Sequence, residues 1–565
     1  MQRLKGAKTF LWICISSFIF LKFGYVSNYV VGDLLDGVFH FSTATFESAI
    51  TDRSIEPMYQ WSRFGSNWFL SLPLKIVEFD SAVLVRIVAM HSILLFSAWT
   101  ILKRFFSWTT RVSCLVVLAT NSSTLYAILD FYPTGAVIVW TTSLSALLFS
   151  IHHQQGFIKQ KCVLLGANIV LIATSYPGAL LISLLFSAAY FCWLIATRDR
   201  GFYLQDIFAL TKQAIFVLVG LALGSLVVMT YNRLVFPSLN VFTTNKTWIR
   251  LLSGEETTKS NFSSMLAEGT VYTHLLGVGL AGCVAFVKRK EKHCWIGFIY
   301  AIPAVYLIVD AFIDLPIVAY AENRVFSGMY LGMSMLSICF SSAILLDGLK
   351  GVRGILDIGI IGIVTFMSTR LWITSSRIRV PLLIFFCVCV LFSIKRNKLG
   401  NVLRLGTVCL VVLITQISFL TGSNNRYASE LYGSSEYSRS LRSNQVRMQK
   451  FVLEHSLPGD RLISDVQIGA KSSPQLMSGA AMSLFGRNSV YGWDWVWRPG
   501  QLLGLRPNKV VVYSTDLAYV NKVKYDITTV AEIRHETTKS FESFIETGES
   551  LNSVVTIFDV RYHKD

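Results

Sequence analysis

The chain has 565 residues, of which 53% are hydrophobic and 15% charged, with a mean hydropathy of +0.52. An ordinary soluble domain carries about 25% charged residues, so a soluble globular protein is excluded. The net charge of +17 does not mark a nucleic-acid binder. Residues 422–565 hold 17 Lys+Arg against 15 Asp+Glu, a net of +2, and the excess lies in short loops between apolar segments, which is the positive-inside pattern.

A spanning helix needs about 20 apolar residues, with a range of about 17–25. Thirteen segments qualify: 9–31, 82–102, 112–130, 135–151, 162–175, 177–197, 213–235, 271–287, 294–312, 325–346, 354–370, 380–394 and 404–421. The fold class expected is mostly α: a polytopic transmembrane bundle over 1–421, followed by an extracytoplasmic α/β domain over 422–565. The start of the chain has a basic stretch and an apolar run but no small-residue cleavage site, and reads as a retained first helix. Residues 67–79, ahead of the second span, read as an amphipathic stretch at the membrane interface.

Basic residues fall on alternate loops: Arg3, Lys5 and Lys8; Lys103 and Arg104; Lys159 and Lys161; Arg198 and Arg200; Lys288 to Lys292; Lys350 and Arg353; and Lys395 to Arg404. That side is expected to be cytoplasmic, which puts the N-terminus inside and, with an odd number of spans, the C-terminal domain outside. The expected localisation is a multi-pass inner membrane protein. His152-His153 then falls in an inner loop, as a solvated pair. All ten cysteines lie at or before Cys409, mostly within apolar segments, and read as small buried hydrophobes. Asn121, Asn245 and Asn261 open glycosylation sequons, relevant only in a eukaryotic secretory pathway.

The first outer loop, 32–66, carries the densest chemistry. Asp33 follows the first span almost at once, and Gly32 and Gly37 bracket Asp33 and Asp36. A carboxylate at the mouth of a membrane helix is costly to desolvate and marks a functional site by default; the pair reads as a general base with a supporting carboxylate. Glu56 precedes Pro57, which fixes the backbone where the loop turns back. Arg63 reads either as a phosphate holder, because its planar fork matches phosphate oxygens, or as an interfacial anchor. Two further outer loops follow at 236–270 and 314–324. The latter leads into Glu322-Asn323-Arg324 at the start of a span, where a cation opposes the helix dipole and calls for an anion. That anion is either Glu322 or a bound lipid phosphate.

In the C-terminal part, 461–466, 510–514, 528–533 and 554–560 read as strands, and 439–455 and 541–547 as helices. The run from Tyr491 to Arg498 holds Trp493, Trp495 and Trp497, suited to a core or an interface belt. No nucleotide-binding loop, zinc-protease motif or paired-cysteine motif occurs.

This layout resembles the type C glycosyltransferase superfamily: one helix, an acidic first outer loop, about a dozen further helices and a soluble outer domain. Gly32-Asp33-Leu34-Leu35-Asp36-Gly37 looks like that superfamily's acidic motif, although the acids are spaced rather than adjacent. Glu56-Pro57-Met58-Tyr59 resembles its proline-containing return, and Arg324 the arginine that meets the carrier phosphate. The resemblance implies an enzyme that transfers a sugar from a polyprenyl-phosphate-linked donor to a lipid, glycan or protein acceptor on the outer face. Asp33 and Asp36 would be catalytic, and Arg324, Arg63, Glu56 and Glu322 would bind the substrate or the lipid phosphate. A divalent metal is a possible cofactor, since the superfamily includes both kinds, and no metal ligands are assigned. A transporter, flippase or polymerase of lipid-linked glycans is the alternative.

Overall fold

The computed structural model describes residues 2–24, 63–74, 76–77, 79–129, 134–153, 156–176, 183, 186–190, 204–235, 269–287, 295–313, 331–347, 406, 409, 454–455 and 457. It also describes five strands at 461–464, 488–491, 509–513, 525–538 and 550–562. Among these residues the helices are α1 (Gln2–Gly24), α2 (Phe64–Leu74), α3 (Phe79–Phe105), α4 (Trp108–Thr120), α5 (Ser122–Leu129), α6 (Thr134–His152), α7 (Ile158–Ser175), α8 (Leu204–Val235), α9 (Gly269–Val287), α10 (Trp295–Ile313) and α11 (Leu331–Leu346). The expected spans at 354–370 and 380–394, nearly all of 404–421 and most of 177–197 lie outside the described residues.

Hydrocarbon offers no hydrogen-bond partner, so apolar runs close their backbone bonds internally as helices. Among the described residues four helices, Ser81–Phe105, Gly135–His152, Ile158–Ser175 and Lys212–Arg233, are long and apolar enough to cross a membrane, and four shorter apolar helices accompany them. The chain is a multi-pass helical membrane protein. The α3 helix packs on α1, α2, α4, α5 and α6; α7 joins α6 to α8; and α11 packs against α4, α6, α9 and α10.

Where α7 meets α8 the contact depends on glycine. A Cβ on Gly166 would collide with the Val217 carbonyl, and one on Gly220 with the Val163 carbonyl. Small residues let membrane helices approach backbone to backbone, so that dispersion contacts replace the missing hydrophobic drive.

Two expectations change here. The single span expected at 112–130 is two helices, α4 and α5. Asn121 ends α4 in an extended conformation and caps α5, its Oδ1 accepting from the Thr124 N–H at 3.2 Å and its carbonyl from Leu125 at 3.0 Å. Asparagine favours such caps because its side chain substitutes for a missing backbone acceptor. Asn121 is 1% exposed, so it cannot act as a glycan acceptor. The stretch expected at the interface forms α2 and the turn after it. Within that stretch Asn67, Phe69, Leu70 and Ser71 are buried while Leu72, Ile76 and Val77 are exposed, so the helix is wedged against α3 and α7 on one side and leaves apolar side chains open on the other.

Several buried polar groups tie the helices of the bundle together. The His91 ring bridges Ser17 Oγ at 2.9 Å and the Ala119 carbonyl at 3.1 Å. A carbonyl only accepts, so Nε2 carries the proton and Nδ1 accepts from the serine in a neutral ring. This ties α1, α3 and α4 together. On α11, Ser337 donates to the Gly297 carbonyl at 2.7 Å, and Ser334 meets His274 Nδ1 at 2.5 Å.

The strands form one mixed sheet in the order β2-β1-β3-β5-β4, numbered along the chain. β1 (Arg461–Ser464) runs parallel to β2 (Asn488–Tyr491) and β3 (Lys509–Tyr513); β5 (Ser550–Tyr562) is antiparallel to β3 and β4 (Tyr525–Thr538). Four of these fall on the runs read as strands from sequence; β2 does not. Runs such as Lys509–Tyr513, KVVVY, are β-branched and suit a pleated surface. The pairing of β4 with β5 shifts register between Thr529 and Ala531, a bulge that bends a long ribbon. The helices expected at 439–455 and 541–547 lie almost wholly outside the described residues.

Gly220→Val should destabilise the bundle by about 1–3 kcal/mol, the usual cost of overpacking. Gly282→Ala, where an added Cβ meets nothing within 4 Å, should not destabilise by more than about 0.5 kcal/mol. Thermal unfolding of the detergent-purified variants measures both, and equal shifts would contradict the close α7–α8 approach.

Candidate functional site

Of the residues singled out in the sequence, Asp33, Asp36, Glu56, Glu322 and Arg324 lie outside the described residues, as do Trp493, Trp495 and Trp497. Arg63 lies within them, at the junction where the first loop enters α2.

Arg63 is 3% exposed, which does not fit an interfacial anchor. Its carbonyl accepts from the Ser66 and Asn67 N–H groups at 3.2 and 3.0 Å and from the Ser66 hydroxyl at 3.1 Å. The residue thereby starts α2, whose first turn has no acid. Its guanidinium carbon lies 4.9 Å from the centre of the Tyr176 ring. Tyr176 is the residue that ends α7, its N–H bonded to the Ile172 carbonyl at 3.2 Å. An arginine over an aromatic face gains cation–π attraction while its N–H donors point in its own plane, toward oxygen acceptors.

The seat of α2 explains why Arg63 is held there. A Cβ on Gly65 would collide with the Leu171 carbonyl and the Ser175 hydroxyl, so only glycine lets the first turn of α2 approach the last turn of α7 so closely. From the other side, Trp140 on α6 donates its indole N–H to the Gly65 carbonyl at 2.9 Å. Phe69 stacks on Trp140 at 5.2 Å and on Trp68 at 4.6 Å. Phe64 meets Tyr231 of α8 edge-on at 4.8 Å. Four helices thus fix the arginine at one end of the bundle, where α7 ends.

Sequence reading missed a second buried arginine. Arg86, 4% exposed on α3, donates from Nη1 to the Ile128 carbonyl at 3.1 Å, satisfying an acceptor near the end of α5. The signal was present: a lone arginine in the apolar run of 82–102, a position that points to function by default. It was absorbed into a span. Among the described residues no group of three or more His, Cys, Asp or Glu could hold a metal ion.

The arrangement provides a rigid, cationic, aromatic-lined start to α2, suited to a phosphate or carboxylate oxygen. Trp140→Phe keeps the stacking and removes the bond to Gly65. It should lower stability by about 1–3 kcal/mol, the cost of leaving a buried polar group without its partner. Thermal unfolding of purified protein reads this; an unchanged melting temperature would mean that the bond does not seat α2.

No family model matches this chain, and no curated protein matches it in sequence. Solved structures do match in shape. ArnT from Cupriavidus metallidurans, in its crystal structure bound to undecaprenyl phosphate, is 11% identical with a TM-score of 0.53, covering 98% of this chain and 98% of its own. Its apo state is 10% identical with a TM-score of 0.51, covering 99% of this chain and 98% of its own. The archaeal oligosaccharyltransferase AglB from Archaeoglobus fulgidus, in complex with an inhibitory peptide and a dolichol-phosphate, reaches a TM-score of only 0.41 at 10% identity, covering 89% of this chain and 69% of its own, and carries no argument. The agreement with ArnT over nearly the full length of both chains shows that this protein has the same fold as ArnT.

Proposed function

We propose that this protein is an integral-membrane glycosyltransferase that moves a sugar from a polyprenyl-phosphate-linked donor to a lipid, glycan or protein acceptor at the outer face of the membrane. The observation that carries this reading is the fold shared, end to end, with a protein crystallised with undecaprenyl phosphate. The stacked, buried Arg63 at the return of the first loop agrees with it.

In the proposed reaction Asp33 accepts the proton of the acceptor hydroxyl. The acceptor oxygen bonds to the sugar C1, the bond from C1 to the phosphate oxygen breaks, and the electron pair leaves with polyprenyl phosphate. Arg324 and Arg63 receive the charge that develops on that phosphate, in a setting where water is scarce and fixed charge acts strongly. Asp36 supports the loop, Glu56 with Pro57 orders its return, and Glu322 holds Arg324 between turnovers. A divalent metal, if bound, would neutralise phosphate charge; no residues are assigned to hold it. With the basic loops inside, the acids of 32–66 and the domain of 422–565 face outward.

Asp33→Asn preserves shape and removes charge, so folding should survive while sugar transfer falls by about 10²–10⁴-fold, the usual worth of a positioned acid or base. Asp36→Asn should cost less. Transfer from a polyprenyl-phosphate sugar by purified variants, normalised to folded protein, measures both; wild-type turnover in Asp33→Asn would overturn the assignment. Arg324→Ala should weaken carrier-lipid binding by about 1.5–3 kcal/mol, the range of a charge-assisted bond. Unchanged affinity would leave Arg324 as a partner of Glu322 alone. A reporter fused after Asp565 should be active only in an extracytoplasmic form; cytoplasmic activity would reverse the orientation.

A further inference from the structure

Next to Arg63, α2 and α8 enclose polar atoms of a different kind. Phe64, Trp68 and Ser71 follow one another at helical spacing, which sets them on one face of α2. Phe64 meets Tyr231 of α8 edge-on, and the Tyr231 hydroxyl faces that of Ser71. Trp68 and Tyr231 both pack on the small cluster of Phe64, Val170 and Val228. One cleft between α2 and α8 therefore collects the Trp68 indole N–H and the hydroxyls of Ser71 and Tyr231.

All three polar atoms are buried, and none closes a hydrogen bond. The surroundings show how unusual that is. A serine in a helix commonly returns its hydroxyl to the carbonyl four residues back, as Ser145 does at 3.0 Å and Ser175 at 2.7 Å. Ser71, 3% exposed, turns its hydroxyl toward Tyr231 instead. A buried indole N–H usually finds an acceptor. Trp140 finds one in the Gly65 carbonyl, whereas its stacking neighbour Trp68 does not. Each unmatched atom costs stability, and such costs persist in folded proteins where function needs the group.

The chemistry on offer is specific. The cleft presents one N–H donor and two hydroxyls that donate or accept, framed by the rings of Phe64, Trp68 and Tyr231. Apolar walls with a few placed polar groups are the usual make-up of a small-molecule site. The three groups are neutral, so they suit hydroxyls rather than a phosphate. The cation is next door: Trp68 lies about 7.5 Å along the helix axis from Arg63, at about 1.5 Å per residue. A phosphate on Arg63 and the sugar ring attached to it bridge that separation.

We propose that Trp68, Ser71 and Tyr231 form the subsite for the hydroxyl groups of the donor sugar. This rests on the reading that the carrier phosphate docks at Arg63. Entry requires the Tyr231 side chain to turn aside, and its ring is held by the edge contact to Phe64 rather than by a hydrogen bond.

The test uses full-length protein in detergent and calorimetric titration. The probes are undecaprenyl phosphate and undecaprenyl phosphate carrying glucose, galactose or mannose. Wild-type protein should bind at least one sugar-bearing carrier more tightly than the bare one. Tyr231→Phe and Ser71→Ala should each weaken that binding by about 5-fold, the worth of one hydrogen bond, and leave the affinity for bare carrier unchanged. Both variants should also melt no lower than wild type, because each removes a buried polar atom without removing a bond. A lower melting temperature in both would mean that the hydroxyls are bonded within the protein, and would overturn the subsite. So would equal losses for bare and sugar-bearing carriers, no loss for either, or a wild type that binds no sugar-bearing carrier better than the bare one; each of these leaves the phosphate site at Arg63 standing. Failure of wild type to bind any of the carriers would overturn the Arg63 reading and the subsite with it.

Discussion

Burial of polar groups away from water is the constraint on which this architecture rests. A donor or acceptor in hydrocarbon without a partner costs several kcal/mol. The bundle meets that cost with pairs that also fix helix positions: Trp140 to the Gly65 carbonyl, Arg86 to the Ile128 carbonyl, His91 between Ser17 and Ala119, and Ser337 to the Gly297 carbonyl. Each joins different helices, so satisfying the polar atom and choosing the packing are the same event.

The Gly65 contact has the largest consequence for function. Because α2 can approach α7 only at Gly65, and because Trp140 holds that glycine's carbonyl, Arg63, two residues before it, has little freedom. Arg63 is placed over Tyr176 by the backbone rather than by its own flexible side chain. A preorganised cation of this kind loses less entropy on binding an anion than a lysine on a mobile loop. The opposite end of α7 has the reverse character, with exposed cations at the rim and an uncapped helix start. One helix thus has a buried, aromatic cationic end and an exposed cationic one.

Much of this was legible in the sequence, for identifiable reasons. Long apolar runs leave little choice but helix, so α1, α3, α6, α7, α8, α9 and α10 fall close to the expected segments. Runs rich in valine and isoleucine announced four strands. β2 escaped because Asn488–Tyr491, NSVY, holds one aliphatic residue and its Tyr491 was read as the start of the aromatic run. The break at Asn121 escaped because hydropathy does not weigh capping, and Asn121 was read as a sequon instead. α2 was placed at the surface because its polar residues suggested an amphipathic face, whereas Ser66 and Asn67 meet their partners inside the protein. Of the candidate site, Arg63 was found through its chemistry. Its partner Tyr176 could not be, since 113 positions separate them in sequence. Arg86 was hidden by the apolar run around it. The resemblance drawn from the acidic first loop and the overall layout led to the fold that ArnT shares, although the acids themselves lie outside the described residues.

The central claim is that a polyprenyl phosphate docks at the Arg63 end and is the leaving group of the reaction. The most direct measurement is an electron cryo-microscopy map of the full-length protein reconstituted with polyprenyl phosphate. The account predicts phosphate density within hydrogen-bond reach of the Arg63 guanidinium, about 3 Å from a nitrogen. Density for the carrier phosphate at the opposite end of α7 alone, with none near Arg63, would contradict it.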